Sequence, residues 1–448
     1  MTNKNHKIKL SYTQYIALGF LCIILIGGLL LCLPIASRDG TWTPLLNALY
    51  TATSSTCVTG LVVYDTYTHW SLFGQIVIIV LIQIGGVGFM TVITMFSILM
   101  KRQISLHERK LIMQSAGTFK VGGVVQLIKK VTLATFIIEG LGACLLAIRF
   151  IPELGVGTGI FYSVFHSISA FCNAGFDLMG RFEAFSSLTR YVHDPLVNLT
   201  ICALILVGGL GFIVWNDIAS HKQHFQRYQL HSKIVLSMTG FLLVVGMILF
   251  FLFEYHHTQE GMTLGQRLLA SLFESVTPRT AGFNTTPIGD LSESGSLLTM
   301  ILMFIGGNPG STAGGIKTST FLVLVMSIAA ACRHSSNITL FKRNLEDHIT
   351  QQATAIATIY LIAIAAATLI IGACEPYSLK EILLETVSAA GTVGLSAGIT
   401  PSIGTITKII SMILMFGGRV GGLTLALVLA EKRVFVPIER PEEKILIG

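Results

Sequence analysis

The chain has 448 residues, of which 52% are hydrophobic and only 12% charged, with a mean hydropathy of +0.73. Soluble domains carry roughly 25% charged residues, so this composition excludes a soluble globular protein and indicates a multi-span membrane protein. The net charge of +7, from 30 basic and 23 acidic residues, sits in short loops, where it sets topology rather than marking a nucleic-acid surface.

In chain order, apolar runs fall at about 13–34, 71–100, 127–150, 195–218, 232–254, 296–330, 352–373 and 404–430. Each reaches about 20 residues, the length a helix needs to cross a hydrocarbon core of roughly 30 Å. Lys4, Lys7 and Lys9 precede the first run. That run has no small-x-small cleavage site and reads as a retained span rather than a signal peptide. Between the members of each pair lies a shorter amphipathic segment, at about 43–55, 159–170, 264–275 and 379–390. These are too short to cross, so each predicts a helix that enters the membrane and turns back. The expected fold is an all-α integral membrane protein of eight transmembrane helices. They form four repeats of span, re-entrant helix, loop and span, at 1–100, 101–220, 221–335 and 336–448. The repeats make one domain around one central pore.

Orientation follows from lysine and arginine. The links and tails carrying Lys101, Arg102, Arg109, Lys110, Lys120, Lys129, Lys130, Lys222, Arg227, Lys233, Arg333, Lys342, Arg343, Lys432, Arg433, Arg440 and Lys444 fall on the same side as the first tail. By the positive-inside rule both termini are expected in the cytoplasm.

Each short segment ends in a similar stretch of small or hydroxyl residues, a glycine and a large apolar residue. The glycines are Gly60, Gly175, Gly282 and Gly394, spaced 115, 107 and 112 residues apart. A desolvated cation needs a ring of oxygens, and backbone carbonyls supply one when side chains do not crowd the axis. Glycine permits both the backbone conformation and the close approach. The candidate filter is therefore Val58, Thr59 and Gly60; Asn173, Ala174 and Gly175; Thr280, Ala281 and Gly282; and Thr392, Val393 and Gly394. A desolvated cation would sit at their backbone carbonyls.

The sixth run is interrupted at 304–318 by five glycines and a proline, which no stable helix accommodates. Gly306, Gly307, Asn308, Gly310, Ser311, Thr312, Gly314, Gly315 and Lys317 form a candidate gate below the filter. It is expected to be the one badly broken span; a packing kink is the alternative. Arg419, about 15 residues into the eighth run, is costly at that depth unless it faces a cavity or a partner. It is assigned to the gate as an electrostatic barrier. Glu139 reads as a structural buried acid, and Gln83 as interhelical packing glue. Asp65, Asp177, Asp290 and Glu274 are expected near the outer mouth, where they raise local cation concentration or are simply solvated. The eight cysteines are scattered without a C-x-x-C pair or a ligand cluster, the histidines gather in loops, and no nucleotide or zinc motif is present, so no catalysis and no cofactor are expected.

The four glycine stretches and the glycine pairs Gly85-Gly86, Gly208-Gly209, Gly306-Gly307 and Gly417-Gly418 carry a resemblance over essentially the whole chain. With the broken sixth run and the lone arginine of the eighth, the chain resembles the Trk/Ktr/HKT superfamily of potassium transporters. It is most like the membrane subunit of a Ktr system, because the two extra N-terminal spans of many Trk relatives are missing. The resemblance implies that the four glycines line the filter. Glycine at all four positions then implies a potassium-channel-like pore that prefers potassium, held at the backbone carbonyls of the filter loops. The sixth-span loop is implied to obstruct the pore when closed. The resemblance further implies sodium stimulation and a homodimer in the bacterial cell membrane. It also implies a cytosolic ring of regulatory subunits that bind ATP or ADP. An alternating-access transporter of another cation or a small solute is the competing reading, and would need discontinuous helices in two matching repeats.

Overall fold

The computed structural model describes residues 12–421 apart from 101–104, 106–107, 111–112, 114–121, 223 and 336–337. Lys4, Lys7, Lys9, Lys101, Arg102, Lys120, Lys432, Arg433, Arg440 and Lys444, and the eighth run beyond residue 421, lie outside the described residues.

Four similar units follow one another. The first holds α1 (Tyr12–Cys32), α2 (Leu45–Thr56), α3 (Leu72–Val87) and α4 (Phe89–Leu99). The second holds α5 (Val124–Leu154), α6 (Val156–Phe171), α7 (Pro195–Leu210) and α8 (Phe212–His221). The third holds α9 (Leu230–Phe253), α10 (Leu264–Val276), α11 (Glu293–Phe304) and α12 (Thr318–Cys332). The fourth holds α13 (Asp347–Cys374), α14 (Leu379–Gly391) and α15 (Thr405–Val420). The chain is mostly helical. Among the described residues the exception is a hairpin pairing Thr339–Leu340 with Arg343–Asn344, in the link before α13.

The leading helix of each unit is long and apolar enough to cross a membrane: Gln14–Cys32, Val124–Leu154, Leu230–Phe253 and His348–Cys374. Their outer faces are bare hydrocarbon. On α5, Leu133, Phe136, Leu141 and Ile148 are 61–64% exposed, a pattern suited to lipid and costly in water. The interior is the reverse. Thr51, Thr53, Ser54, Ser55 and Thr56 of α2 are all buried, and their hydroxyls largely turn back on the helix, as Thr53 Oγ1 does to Leu49 O at 2.7 Å.

The short helices lie where periodicity placed them. Capping boxes start two of them: Thr263 with Gln266 at α10, and Ser378 with Glu381 at α14. Each box satisfies two amides that the first helical turn leaves orphaned.

The second halves depart from expectation: the helix is interrupted in each of the first three units, and not only in the sixth run, and in the fourth it ends at Gly421, the last described residue. α3 ends at Gly88 (φ +90°), α7 at Gly211 (φ +98°) and α15 at Gly421 (φ +99°). α7 and α8 meet at 95°. A left-handed residue cannot continue a right-handed helix, and glycine takes that conformation without a Cβ penalty. The interruptions share a Gly-x-x-Gly spacing: Gly85 to Gly88, Gly208 to Gly211, Gly307 to Gly310, and Gly418 to Gly421. Gly85, Gly208 and Gly418 are the equivalents, since a Cβ on each would strike the carbonyl of Thr56, Phe171 and Ala390 respectively, at the end of that unit's short helix.

Two large apolar cores tie neighbouring units together. One joins units one and two and reaches Phe273, Val276 and Phe283 of the third. The other joins units three and four and returns to Tyr50, Cys57 and Leu61 of the first.

Candidate functional site

The four loops that follow the short helices share one backbone pattern. Gly60, Gly175, Gly282 and Gly394 all have left-handed φ, from +67° to +94°. Two residues earlier in each loop Val58, Asn173, Thr280 and Thr392 are left-handed too, at φ from +50° to +72°. Three of these four are β-branched, for which this conformation is a true outlier. Such residues cost of order 1–3 kcal/mol each and persist where the surroundings over-determine them, most often at functional sites.

The loops close into a ring. A Cβ on Gly60 would lie 2.5 Å from Ala174 O, and one on Gly175 would lie 2.8 Å from Ala281 O. One on Gly282 would strike Val393 O, and one on Gly394 would strike Thr59 O. Each glycine thus faces the carbonyl preceding the next glycine, and the fourth returns to the first. This brings Thr59, Ala174, Ala281 and Val393 together with the four glycines.

The loops are braced from behind by side chains. Gly60 N donates to Ser54 Oγ and Gly394 N to Ser388 Oγ, both at 3.0 Å. Ser169 Oγ donates to Phe176 O at 2.7 Å, and Thr277 Oγ1 donates to Phe283 O. A second set of braces ties each short helix to the chain leaving the ring. Asn47 Nδ2 donates to Tyr64 Oη at 2.8 Å, and His166 Nε2 accepts from Leu178 N at 3.3 Å. Glu274 accepts from Thr286 Oγ1, and Glu385 accepts from Thr400 Oγ1. The sequence reading missed these braces because their residue types differ from unit to unit. It placed Glu274 at the outer mouth and histidines in loops, whereas Glu274 is buried in the wall and His166 lies fully buried in α6.

All four ring glycines line one side of a cavity of about 470 Å³. Its walls carry Asp65, Asp177, Glu183 and Asp290 and, among the described residues, no lysine, arginine or histidine. Asp65 is held by the amides of Tyr67, Thr68 and Phe185, at 2.8–3.0 Å. Asp177 accepts from Met179 N at 2.8 Å. It lies in the loop between α6 and α7, where desolvation, reinforced by Asp65, pushes its carboxyl up to about 7.

Residues 305–317 bridge units two and four beneath the ring. On one side Asn308 donates from its amide and from Nδ2 to Gly209 O, at 3.3 and 2.8 Å. Thr312 Oγ1 donates to Phe171 O at 3.1 Å. On the other side Gly315 N donates to Gly418 O at 3.2 Å, and Gly314 abuts the side chain of Thr392. Gly306 lies near Thr280, and Gly307 is braced by Thr318 Oγ1. Ser311 Oγ donates to Asn308 O. Lys317 Nζ turns back on the carbonyls of Ala313 and Gly314, at 2.7 and 3.2 Å, and so shapes the loop.

Arg419 falls in the last turn of α15, opposite this loop. It donates to Thr312 O, and to Gly85 O and Gly86 O of the first unit. The break at Gly88 leaves those two carbonyls without helical donors, and the guanidinium supplies them. Gln83 Nε2 donates to Glu139 Oε2 at 3.2 Å, as expected of packing glue. No group of three metal-ligating His, Cys, Asp or Glu side chains occurs among the described residues.

Residues 33–435 match the TrkH family, described as cation transport protein. The chain is 39% identical to the potassium/sodium uptake protein NtpJ of Enterococcus hirae, with 99% of each covered. It is 40% identical to the Ktr system potassium uptake protein B of Bacillus subtilis, with 93% of this chain and 92% of that one covered. Among solved structures, the potassium transporter TrkH of Vibrio parahaemolyticus shares the fold, with a TM-score of 0.76 at 18% identity over 96% of this chain and 86% of that one. The chain belongs to the TrkH family of cation transport proteins. It is a membrane transporter and not an enzyme.

Proposed function

We propose that the chain takes up potassium across a bacterial cell membrane through an axial pore. The single observation that carries this reading is the closed ring of four left-handed glycines, each facing the carbonyl before the next, at the edge of an acid-lined cavity. The acids concentrate cations at the mouth. Carbonyls of residues 58–60, 173–175, 280–282 and 392–394 replace the ion's water. Residues 305–317 and Arg419 form the gate: the loop lies across the path, and the guanidinium both anchors it and opposes a passing cation.

Four leading helices and four interrupted partners then make eight crossings, with the short helices re-entrant and both termini cytoplasmic. Interruptions in three units, with a positive-φ glycine ending the helix of the fourth, suit a fourfold axial pore better than an alternating-access site between two matching repeats. The relatives' names fit potassium as cargo and sodium as a second ion, here assigned as an activator. A homodimer resting on a cytosolic nucleotide-binding ring completes the proposal.

The test is uptake in cells lacking their own potassium uptake, for the parent chain and Gly282→Ser, with and without a cytosolic regulator. Potassium uptake by the parent whose affinity collapses in the variant supports the filter. Potassium kinetics unchanged by the substitution would sink it.

A further inference from the structure

Arg279 stands three residues before Gly282, where the first two loops have Cys57 and Cys172 and the fourth has Gly391. An arginine at this point is peculiar to the third loop. The residue is 8% exposed, and its Nε has no hydrogen-bond partner among the described residues. It lines a small cavity of about 20 Å³ together with Gly209, Thr239, Gly307, Asn308 and Thr318. Asn308 spends its carboxamide nitrogen on Gly209 O at 2.8 Å and Thr239 Oγ1 at 3.3 Å. Its Oδ1 is buried without a donor.

Among the described residues one cavity is therefore lined by a guanidinium whose Nε–H has no acceptor and by an amide oxygen without a donor. Burying either group unpaired is costly, the charged one more so, and among the described residues no carboxylate lines the cavity to neutralise the arginine. A volume above the roughly 10–15 Å³ that one water needs lets a single water join the two groups. The two residues belong to different parts of the machinery. Arg279 is covalently next to Thr280 of the ring, and Asn308 opens the loop beneath it.

We propose that Arg279 is a latch between filter and gate: its guanidinium holds Asn308 Oδ1, through one water, and keeps residues 305–317 seated against α7. Arg279 is a positioning residue, since it acts on the ion path through Asn308. The proposal rests on the reading of residues 305–317 as the gate.

The test is a charge-coupled pair in the full-length chain. Asn308→Asp places a carboxylate oxygen opposite the guanidinium, so the water-bridged contact becomes a charge-assisted one. Maximal uptake is expected to fall about fivefold or more, with apparent potassium affinity little changed. Arg279→Gln in the Asn308→Asp background removes the cation and is expected to restore uptake to within about twofold of Arg279→Gln alone, a non-additivity that only contacting residues show. Arg279→Lys keeps the charge but not the fork and is expected to lie between parent and Arg279→Gln. Independent multiplication of the two single effects would overturn the latch.

If a variant fails to accumulate in the membrane, thermal unfolding of detergent-extracted parent, Arg279→Gln, Asn308→Ala and the double variant gives the same coupling; shifts that simply add overturn the proposal. Deletion of residues 311–314 separates the two failures. Raised basal flux in the deletion with additive pairs rejects the latch alone, whereas a deletion as quiet as the parent rejects the gate on which it rests.

Discussion

The ring and the layer of helix interruptions beneath it are built from the same fourfold repeat, yet they use it differently. In the ring the four units are near copies: a left-handed residue, one residue of ordinary φ, then a left-handed glycine. In the interruptions three units turn on a single glycine, while the third expands into a loop between Phe304 and Thr318. Coordinating an ion on an axis requires equivalent oxygens from every side. Closing a path requires one unit to do what the others do not. Symmetry is thus kept where an ion would be held and broken where flux would be controlled.

The largest effect should come from breaking the symmetric layer. Gly282→Asp adds both a Cβ against Val393 O and a side chain in a left-handed position. The backbone penalty alone is about 1–2 kcal/mol, or roughly tenfold in affinity, before the overlap is counted. Potassium uptake across a concentration series should show apparent affinity lost by well over that factor, and Gly282→Ser should fall between the aspartate variant and the parent.

Next comes the asymmetric layer. Deleting residues 311–314 removes the Thr312 contacts to Phe171 O and Arg419, and basal flux should rise several-fold while potassium-over-sodium preference is retained. Arg419→Ala should raise flux in the same direction. It also strips donors from Gly85 O and Gly86 O, so about 1–3 kcal/mol of stability should be lost, readable as a lower midpoint of thermal unfolding in detergent.

The braces behind the ring sharpen the comparison further. Glu385→Gln keeps an acceptor for Thr400 Oγ1 and should leave selectivity nearly intact. Glu385→Ala removes the acceptor and should narrow the potassium-to-sodium ratio in competitive uptake. Equal selectivity in both would assign Glu385 to packing alone.

The smallest effect is electrostatic. With the carboxyl of Asp177 pushed up to about 7, protonation below that pH removes one negative charge from the cavity wall. Apparent potassium affinity should therefore weaken modestly as external pH falls from 8 to 6. Asp177→Asn, already neutral, should flatten that dependence.

The sequence by itself determined the class of protein, the count of units and the position of the ring. Apolar length, the short amphipathic helices and four evenly spaced glycines are local signals, and α2, α6, α10 and α14 lie within a few residues of where these placed them. Gly60, Gly175, Gly282 and Gly394 announced themselves because a left-handed, close-packed backbone position accepts almost nothing else. Only the tertiary structure decided the rest. The interruptions at Gly88 and Gly211 sit inside apolar runs, where a single glycine is indistinguishable from a packing residue until its φ is seen. The braces Asn47, His166, Glu274 and Glu385 occupy one role with three residue types, so no repeat was visible. Arg419 is half-buried and Arg279 buried, and chain position says nothing of what each one meets. One finds two carbonyls freed by a helix end in the first unit and a loop carbonyl in the third, and the other faces a cavity shared with Asn308. Which groups meet across units separated by a hundred residues or more is set by packing, not by pattern.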